Sequence, residues 1–290
     1  MKTGIIGAGR VGCSLGKYLS GKGVELAGYY DTDFAAAKEA AEFTQTDFFE
    51  TLQSLVDTSE LLFITTGDSY IVPVWEEVKK LSHKNQIICH CSGALSSDSF
   101  SGAEEAGVSC CSVHPMLPFS NKFSSYQQLE HAFFTVEGQE YAVNTITQLL
   151  TSFGNQVCRI NAEAKPKYHA AASILSNQVI AVLDTGYRLL EECGFTREEA
   201  VSATAALVRS NIENVIAQDC AGALTGPIER GDTGTVEKHL ACLDSDEETK
   251  TLYQVLGKHL VTIAQEKNPD RDYTQMQILF KIVPIQNPLE

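Results

Sequence analysis

Residues 4–12 read Gly4-Ile5-Ile6-Gly7-Ala8-Gly9-Arg10-Val11-Gly12, and their reading decides the fold. An apolar run meets Gly7-x-Gly9-x-x-Gly12, and a helical pattern from Cys13 to Leu19 follows at once. Each glycine has its own physical reason. Gly7 allows the tight turn out of a strand, Gly9 lets the backbone approach a pyrophosphate, and Gly12 lets the helix pack closely on the sheet. Phosphates then meet free N–H groups and the positive end of the helix dipole. The glycine pattern alone is a weak signal, compatible with an ordinary strand–helix turn. It gains weight from the strand before, the helix after, and an acid at the ~20-residue distance such sites require. That acid is Asp31, which closes the apolar run Val24–Tyr30. Gly7, Ala8, Gly9, Arg10, Val11 and Gly12 are therefore expected to cradle a dinucleotide, with Asp31 on its ribose.

Outward from this turn, the chain to about residue 160 alternates short apolar runs with helical patterns. Strands are predicted over 2–6, 24–30, 60–65, 86–90, 108–113, 132–137 and 156–160, and helices over 10–21, 32–43, 71–81 and 140–153. Strands separated by helix-length segments predict an α/β fold with a doubly wound, mostly parallel sheet. The strand runs lack polar alternation, as expected when both faces are covered. After residue 160 strand-like runs cease. Helices are predicted over 166–193, 197–218, 235–243, 247–265 and 273–280, giving an all-α second domain over 161–290 after a first domain over 1–160. The first of these helices is rich in Ala, Ile, Leu and Val and is expected to lie buried in the bundle or in a dimer contact.

The chain has 290 residues, 43% hydrophobic and 20% charged, which suits a globular enzyme with a sizeable core. A formal net charge of −15 argues against nucleic acid and anionic membranes as partners. No apolar run approaches the ~20 residues that span a bilayer. The N-terminus enters the first strand directly, against a signal peptide. Nine cysteines form no paired framework. Reduced thiols in the cytoplasm are expected.

Several segments carry polar groups where chemistry is expected. Ligands of an open α/β sheet lie outside the carboxyl ends of its strands. Thr65, Thr66 and Asp68 are therefore expected beside the ribose and nicotinamide end of a cofactor, unless Asp68 or Ser69 merely caps a helix. Ser92 and His114 follow the next two strands, with Ser92 assigned to the cofactor and His114 to the substrate; His90 and His114 share that rim, unless either is a plain structural histidine. No metal is expected. Alternation along a strand turns His90 away from Cys89 and Cys91, and Cys110-Cys111 with His114 are only remote ligands. On the first long helix His169, Ser173 and Asn177 recur at i, i+4, i+8 and share a face. Buried polar groups there need partners or a use. Asn177 would hold a carbonyl or imine, and His169 would supply a proton near neutral pH. The loop 223–232 offers Arg230 as an anion clamp and Asp232 as a helix cap.

These stretches together resemble the family of Rossmann-like proteins that carry a C-terminal DUF2520 domain, whose members bear provisional labels as NADP- or coenzyme F420-type oxidoreductases. The resemblance rests on Gly7–Gly12, His90-Cys91-Ser92-Gly93-Ala94, His114-Pro115, Tyr168-His169-Ala170-Ala171, Ser176-Asn177, and Leu224-Thr225-Gly226-Pro227 through Arg230-Gly231-Asp232. More distantly the layout is similar to ketopantoate reductase, the β-hydroxyacid dehydrogenases and pyrroline-5-carboxylate reductase. It implies a reductase or dehydrogenase acting on a small polar substrate in a cleft between the domains, and a homodimer formed through the helical domain. The β-hydroxyacid enzymes carry a lysine four residues before an asparagine on this helix. The position that corresponds here, if Asn177 is that asparagine, is Ser173, and Lys165 and Lys167 stand a helical span earlier. The resemblance favours NADP, whereas Asp31 would accept from a free ribose hydroxyl and repel a 2′-phosphate, favouring NAD. A non-catalytic dinucleotide-binding sensor or assembly module is the rival reading.

Overall fold

The computed structural model describes residues 1–281, in two compact units, Met1–Val179 and Ile180–Glu290. In the first unit β1 (Thr3–Ile6) leads through the glycine turn into α1 (Arg10–Gly21), then β2 (Leu26–Tyr30) and α2 (Phe34–Thr44). After β3 (Asp47–Phe48) and α3 (Leu52–Thr58) come β4 (Leu61–Ile64), α4 (Asp68–Leu81) and β5 (Ile87–His90). The short α5 (Ala103–Ala106) precedes β6 (Ser109–Pro115), β7 (Phe134–Gly138), α6 (Glu140–Ser152), β8 (Val157–Arg159) and α7 (Lys165–Ser173).

The strands form one sheet in the order β3-β2-β1-β4-β5-β6-β7-β8. All pairs are parallel except β6 with β7. The order reverses between β1 and β4, so the crevice outside their carboxyl ends is the natural ligand position. Helices cover both faces, as the unalternating strand runs require. On one side α1 and α6 close over Phe63, Cys89, Val113 and Val136. On the other, α3 and α4 bury Leu55, Ile71 and Trp75 against Ile64 and Ile88.

The predicted strands recur with ends shifted by one or two residues; β2 and β7 start two residues later, and β6 runs two residues further. β3 was not predicted, because Asp47-Phe48 carries no apolar run and is a strand only by pairing with Gly28 and Tyr29. Helix α2 starts at Phe34 rather than residue 32, since the Asp33 carboxylate accepts from the N–H groups of Ala35 and Ala36 and caps it. The predicted helix 166–193 is divided by a π turn at Ile174–Gln178, which places Asn177 inside the turn. A strict i, i+4, i+8 register therefore does not hold across that stretch.

The second unit contains α8 (Val179–Glu192), α9 (Arg197–Ala223), α10 (Pro227–Arg230), α11 (Thr233–Cys242), α12 (Glu247–Lys267) and α13 (Thr274–Leu279). Thr196 and Glu199 form a reciprocal capping box at the start of α9. Regular helix stops after Gln218, the predicted end, because Asp219 adopts φ 68°, ψ −179°. That region is costly for any residue with a Cβ. The Asp219 carboxylate accepts from the Gly222 N–H at 2.8 Å and stabilises the break. Ile228, Val236, Val261, Met276 and Phe280 make the core of this unit. Helices α8 and α9 contribute almost nothing to it: no residue of α8 is buried and only Ala200 of α9 is. Of the two expectations for the first long helix, burial in the bundle is not met, and Ile180 of α8 and Leu207, Ile212 and Ile216 of α9 stand exposed.

Candidate functional site

The glycine turn has the form its chemistry needs. Gly7 sits at φ +100°, and its N–H donates to Tyr30 O at 2.8 Å. A Cβ on Gly12 would stand 2.1 Å from Gly7 O, so only glycine lets α1 approach the end of β1. Thr65 fastens the same point from β4, its hydroxyl donating to Gly7 O at 2.8 Å. Gly9 differs: nothing lies within 4 Å of where its Cβ would be. Its backbone faces open space at the start of α1, a helix with no side-chain cap and no acid in its first turn. Unpaired N–H groups and an uncompensated dipole remain there for an anion. Arg10 is exposed on the same turn.

Asp31 follows β2 directly, and its carboxylate reaches the turn. Oδ2 accepts from the Ala8 N–H at 2.7 Å and Oδ1 from the Asp33 N–H at 2.8 Å. The next two residues are Thr32 and Asp33, so no cation accompanies Asp31 here. At the end of β4, the Thr66 hydroxyl is buried without a hydrogen-bond partner, beside Gly7. Asp68 is exposed in the first turn of α4, whose N-cap is Gly67; neither Asp68 nor Ser69 caps it. An open glycine, a bare helix start, an acid on the turn and an orphaned hydroxyl form a cradle that fits a dinucleotide.

The ends of β5 and β6 hold the second half of the site. His90 is fully buried against Phe100, while Cys89 and Cys91 face the opposite core, as strand alternation requires. Its Nδ1 accepts from the Ser92 N–H and its Nε2 bonds Ser96 O, both at 3.2 Å. Both ring nitrogens are therefore engaged, and burial pushes its pKa down to about 4. His90 is a neutral structural clasp. The Ser92 oxygen accepts from the N–H groups of Ala94 and Leu95 and holds its own turn. Cys89 and Cys111 are adjacent across β5 and β6, with sulfurs 3.3 Å apart as free thiols. Burial raises the Cys89 pKa well above its ordinary value, so this thiol is neutral.

Helix α7 brings three groups to these strand ends. Lys165, 1% exposed, donates from Nζ to Ser92 O and to Ser112 Oγ, each at 2.7 Å. Burial lowers its pKa from the usual lysine value. Tyr168 OH lies 2.6 Å from His114 Nδ1. The rings of His114 and His169 meet edge to face with centroids 6.2 Å apart. Gly93 lies under both. A Cβ there would stand 2.5 Å from His169 Nδ1 and 2.9 Å from His114 Nε2, so only glycine admits the two imidazoles. Burial first, then the charges of Lys165, His169 and His90, hold the His114 pKa down at about 4.

The structure thus brings His169, His114 and Ser92 together, and sets Gly7–Gly12, Asp31 and Thr66 around one turn. Ser173 is half-buried and Asn177 exposed; the Asn177 Oδ1 accepts from Ser176 Oγ at 3.2 Å. Arg230 belongs to the second unit, exposed at the end of α10. Asp232 caps α11 by accepting from the Thr235 N–H, as the sequence suggested. From sequence, Lys165 and Tyr168 carry no assigned role, and Gly93 stands only as part of the loop stretch after His90. The signal for Lys165 was a charged residue at the start of an apolar helix, which reads as solvated until the fold buries it.

Strand order, glycine turn and switch point define a Rossmann-type α/β domain followed by a helical one. Residues 1–115 match the model of the Rossmann-like domain, and residues 132–260 match that of a domain of unknown function, DUF2520; the chain carries both in series. The sequence matches no curated protein. Protein TM1727 from Thermotoga maritima shares the fold at 23% identity and TM-score 0.73, over 91% of this chain and 99% of its own. A Bacteroides fragilis protein provisionally named an NADP oxidoreductase does so at 20% identity and TM-score 0.71, over 90% and 98%. The 1-pyrroline-5-carboxylate reductase of Streptococcus pyogenes follows at 19% identity and TM-score 0.62, over 92% and 98%.

The two depressed histidines set a pH dependence. Each folded pKa, about 4, lies below the unfolded value, about 6.5, so the unfolded chain binds more protons between them. Their contribution to stability is complete above pH 6.5 and is lost as pH falls toward 4. Urea midpoints are expected to drop steadily from pH 7 to pH 4.5, and less steeply in His114→Gln.

Proposed function

We propose that this protein is a nicotinamide-dinucleotide-dependent oxidoreductase acting on a small polar, carboxylate-bearing carbonyl, alcohol or imine. The observation that carries the reading is the convergence of two imidazoles, His114 and His169, over Gly93 at the carboxyl end of the sheet that presents the glycine turn. The names of the B. fragilis and S. pyogenes neighbours agree with it.

In this reading the first turn of α1 and Arg10 bind the pyrophosphate, and Thr66, Asp68 and Ser92 border the rest of the cofactor. When bound, the nicotinamide supplies or accepts the hydride. His169, exposed at its ring, exchanges the proton with the reacting oxygen or nitrogen. His114 donates a hydrogen bond to the same atom. Ser173 and Asn177, further along the helix, orient the substrate; π turns recur at functional sites. Asp31, followed by Asp33 and no cation, disfavours a 2′-phosphate and selects NAD(H) over NADP(H). No metal takes part. The nine free thiols agree with a cytoplasmic location. The exposed apolar side chains of α8 and α9 suit a second copy of the chain, giving a homodimer through the helical unit.

Titration with NADH and NADPH tests the cofactor. A ligand at a hundred times its Kd raises folding stability by about 2.7 kcal/mol, which a thermal shift registers. NADH is expected to bind more tightly. Asp31→Ala should weaken it about tenfold, as expected for losing a charge-assisted hydrogen bond of about 1.5–3 kcal/mol, and move preference toward NADPH. Binding of neither dinucleotide overturns the reading. With a substrate found by screening imines and 2-keto acids, His169→Ala should lower kcat by about a hundredfold or more at pH 7 without changing NADH affinity. Saturable binding with no turnover across that panel makes the protein a dinucleotide sensor instead. Sedimentation should show a dimer, and Ile216→Glu, at a side chain 80% exposed, should shift it to monomer without lowering helix content.

A further inference from the structure

Three residues surround His114 in a way that the proton chemistry assigned to His169 does not use. Tyr168 OH lies 2.6 Å from His114 Nδ1. Lys165 Nζ is fixed to Ser92 O and to Ser112 Oγ, and Ser112 precedes His114 by two positions on β6, hence on the same face. The same Nζ stands 5.9 Å from the Tyr168 ring centroid. The other ring nitrogen, His114 Nε2, faces the space over Gly93.

We propose that Tyr168 and Lys165 are positioning residues for His114: Tyr168 donates to Nδ1 and directs the N–H of Nε2 over Gly93, and the buried Lys165 ammonium is the fixed positive charge beside this ring. The argument is one of donor capacity. A neutral imidazole has one N–H and one acceptor nitrogen. A phenol that donates to Nδ1 takes the acceptor, so the proton resides on Nε2, on the side where a reacting atom would sit. A histidine carrying both protons would have to reverse the Tyr168 bond, with Nδ1–H donating to the phenol oxygen, and would place a full charge near the ammonium. The groups facing His114 are Lys165, Tyr168 and His169 from α7 and His90 from β5; the two histidines and Lys165 all act against its protonation. Glu137, Cys91 and Asp68 lie around Lys165 and favour its charge. Burial also raises the Tyr168 pKa, which keeps its proton available to donate at neutral pH. His114 is then a neutral donor across the physiological range, while His169 stands exposed beside it. Two histidines on one glycine thus take separate roles.

The inference rests on the reductase reading for its purpose, but its test needs no turnover. Imidazole 15N spectra of the full-length protein, with His114 assigned by loss of its signals in His114→Gln, report tautomer and titration directly. In the wild type at pH 7, Nε2 is expected to be protonated and Nδ1 bare, with no titration above pH 5. Tyr168→Phe should release the tautomer to a mixture. Lys165→Met should move the His114 midpoint upward by about one pH unit, a tenfold rise in proton affinity. A proton on Nδ1 in the wild type, or an unmoved tautomer in Tyr168→Phe, overturns the proposal. So does an unmoved midpoint in folded Lys165→Met. If Lys165→Met does not fold, Lys165→Arg, which keeps the charge, should hold the midpoint near 4, and a midpoint near 6.5 would refute the role of that charge. If the spectra agree and neither dinucleotide binds, the positioning unit stands and the reductase reading falls.

Discussion

The first unit depends on one close approach, that of helix α1 to the ends of β1 and β4. Gly12 comes so near the Gly7 carbonyl that a single methyl group would occupy the same space, and Thr65 ties that carbonyl to β4. The helix start is thereby held at the switch point of the sheet with its N–H groups bare. A longer separation would bury less surface between α1 and the sheet and move the dipole away from where a phosphate lies. The close packing of α1 and its bare helix start are two consequences of the same contact.

The second half of the site depends on a buried charge. An ammonium removed from water is costly unless its donors are satisfied. Lys165 meets that demand with the Ser92 carbonyl and the Ser112 hydroxyl, from two adjacent strand ends. The loop after β5, strand β6 and the first turn of α7 are therefore fixed to one another by a group that none of them can lose cheaply. Tyr168 and His169, three and four residues further along the helix, inherit their positions from it. A lysine at Ser173, the place that the β-hydroxyacid enzymes suggested, is not needed to bring a cation to this sheet, although Lys165 is buried rather than presented to a substrate.

Asp31 brings the fold and the chemistry together. Its carboxylate already accepts from Ala8 in the glycine turn, so the negative charge sits on the turn itself. Arg10 stands exposed at the start of α1.

By itself the sequence determined the α/β class, the change to helices after residue 160, the glycine turn, the acid at the end of β2, and the helix end at Gln218. These are legible because they rest on local periodicity and on backbone freedom, which neighbouring residues dictate. His169 was legible as a polar group on an apolar helix. Only the tertiary structure decided that His90 is a structural clasp and His114 a bonded ring, since both end strand runs and differ only in what packs around them. It alone made Asp47-Phe48 a strand, through pairing with β2, and inserted the π turn around Asn177. It also made Lys165, a charge near the start of the predicted long helix, the buried tie between β5, β6 and α7. Burial, pairing and the convergence of side chains over Gly93 join residues far apart in the chain, and local pattern carries no information about contacts of that range.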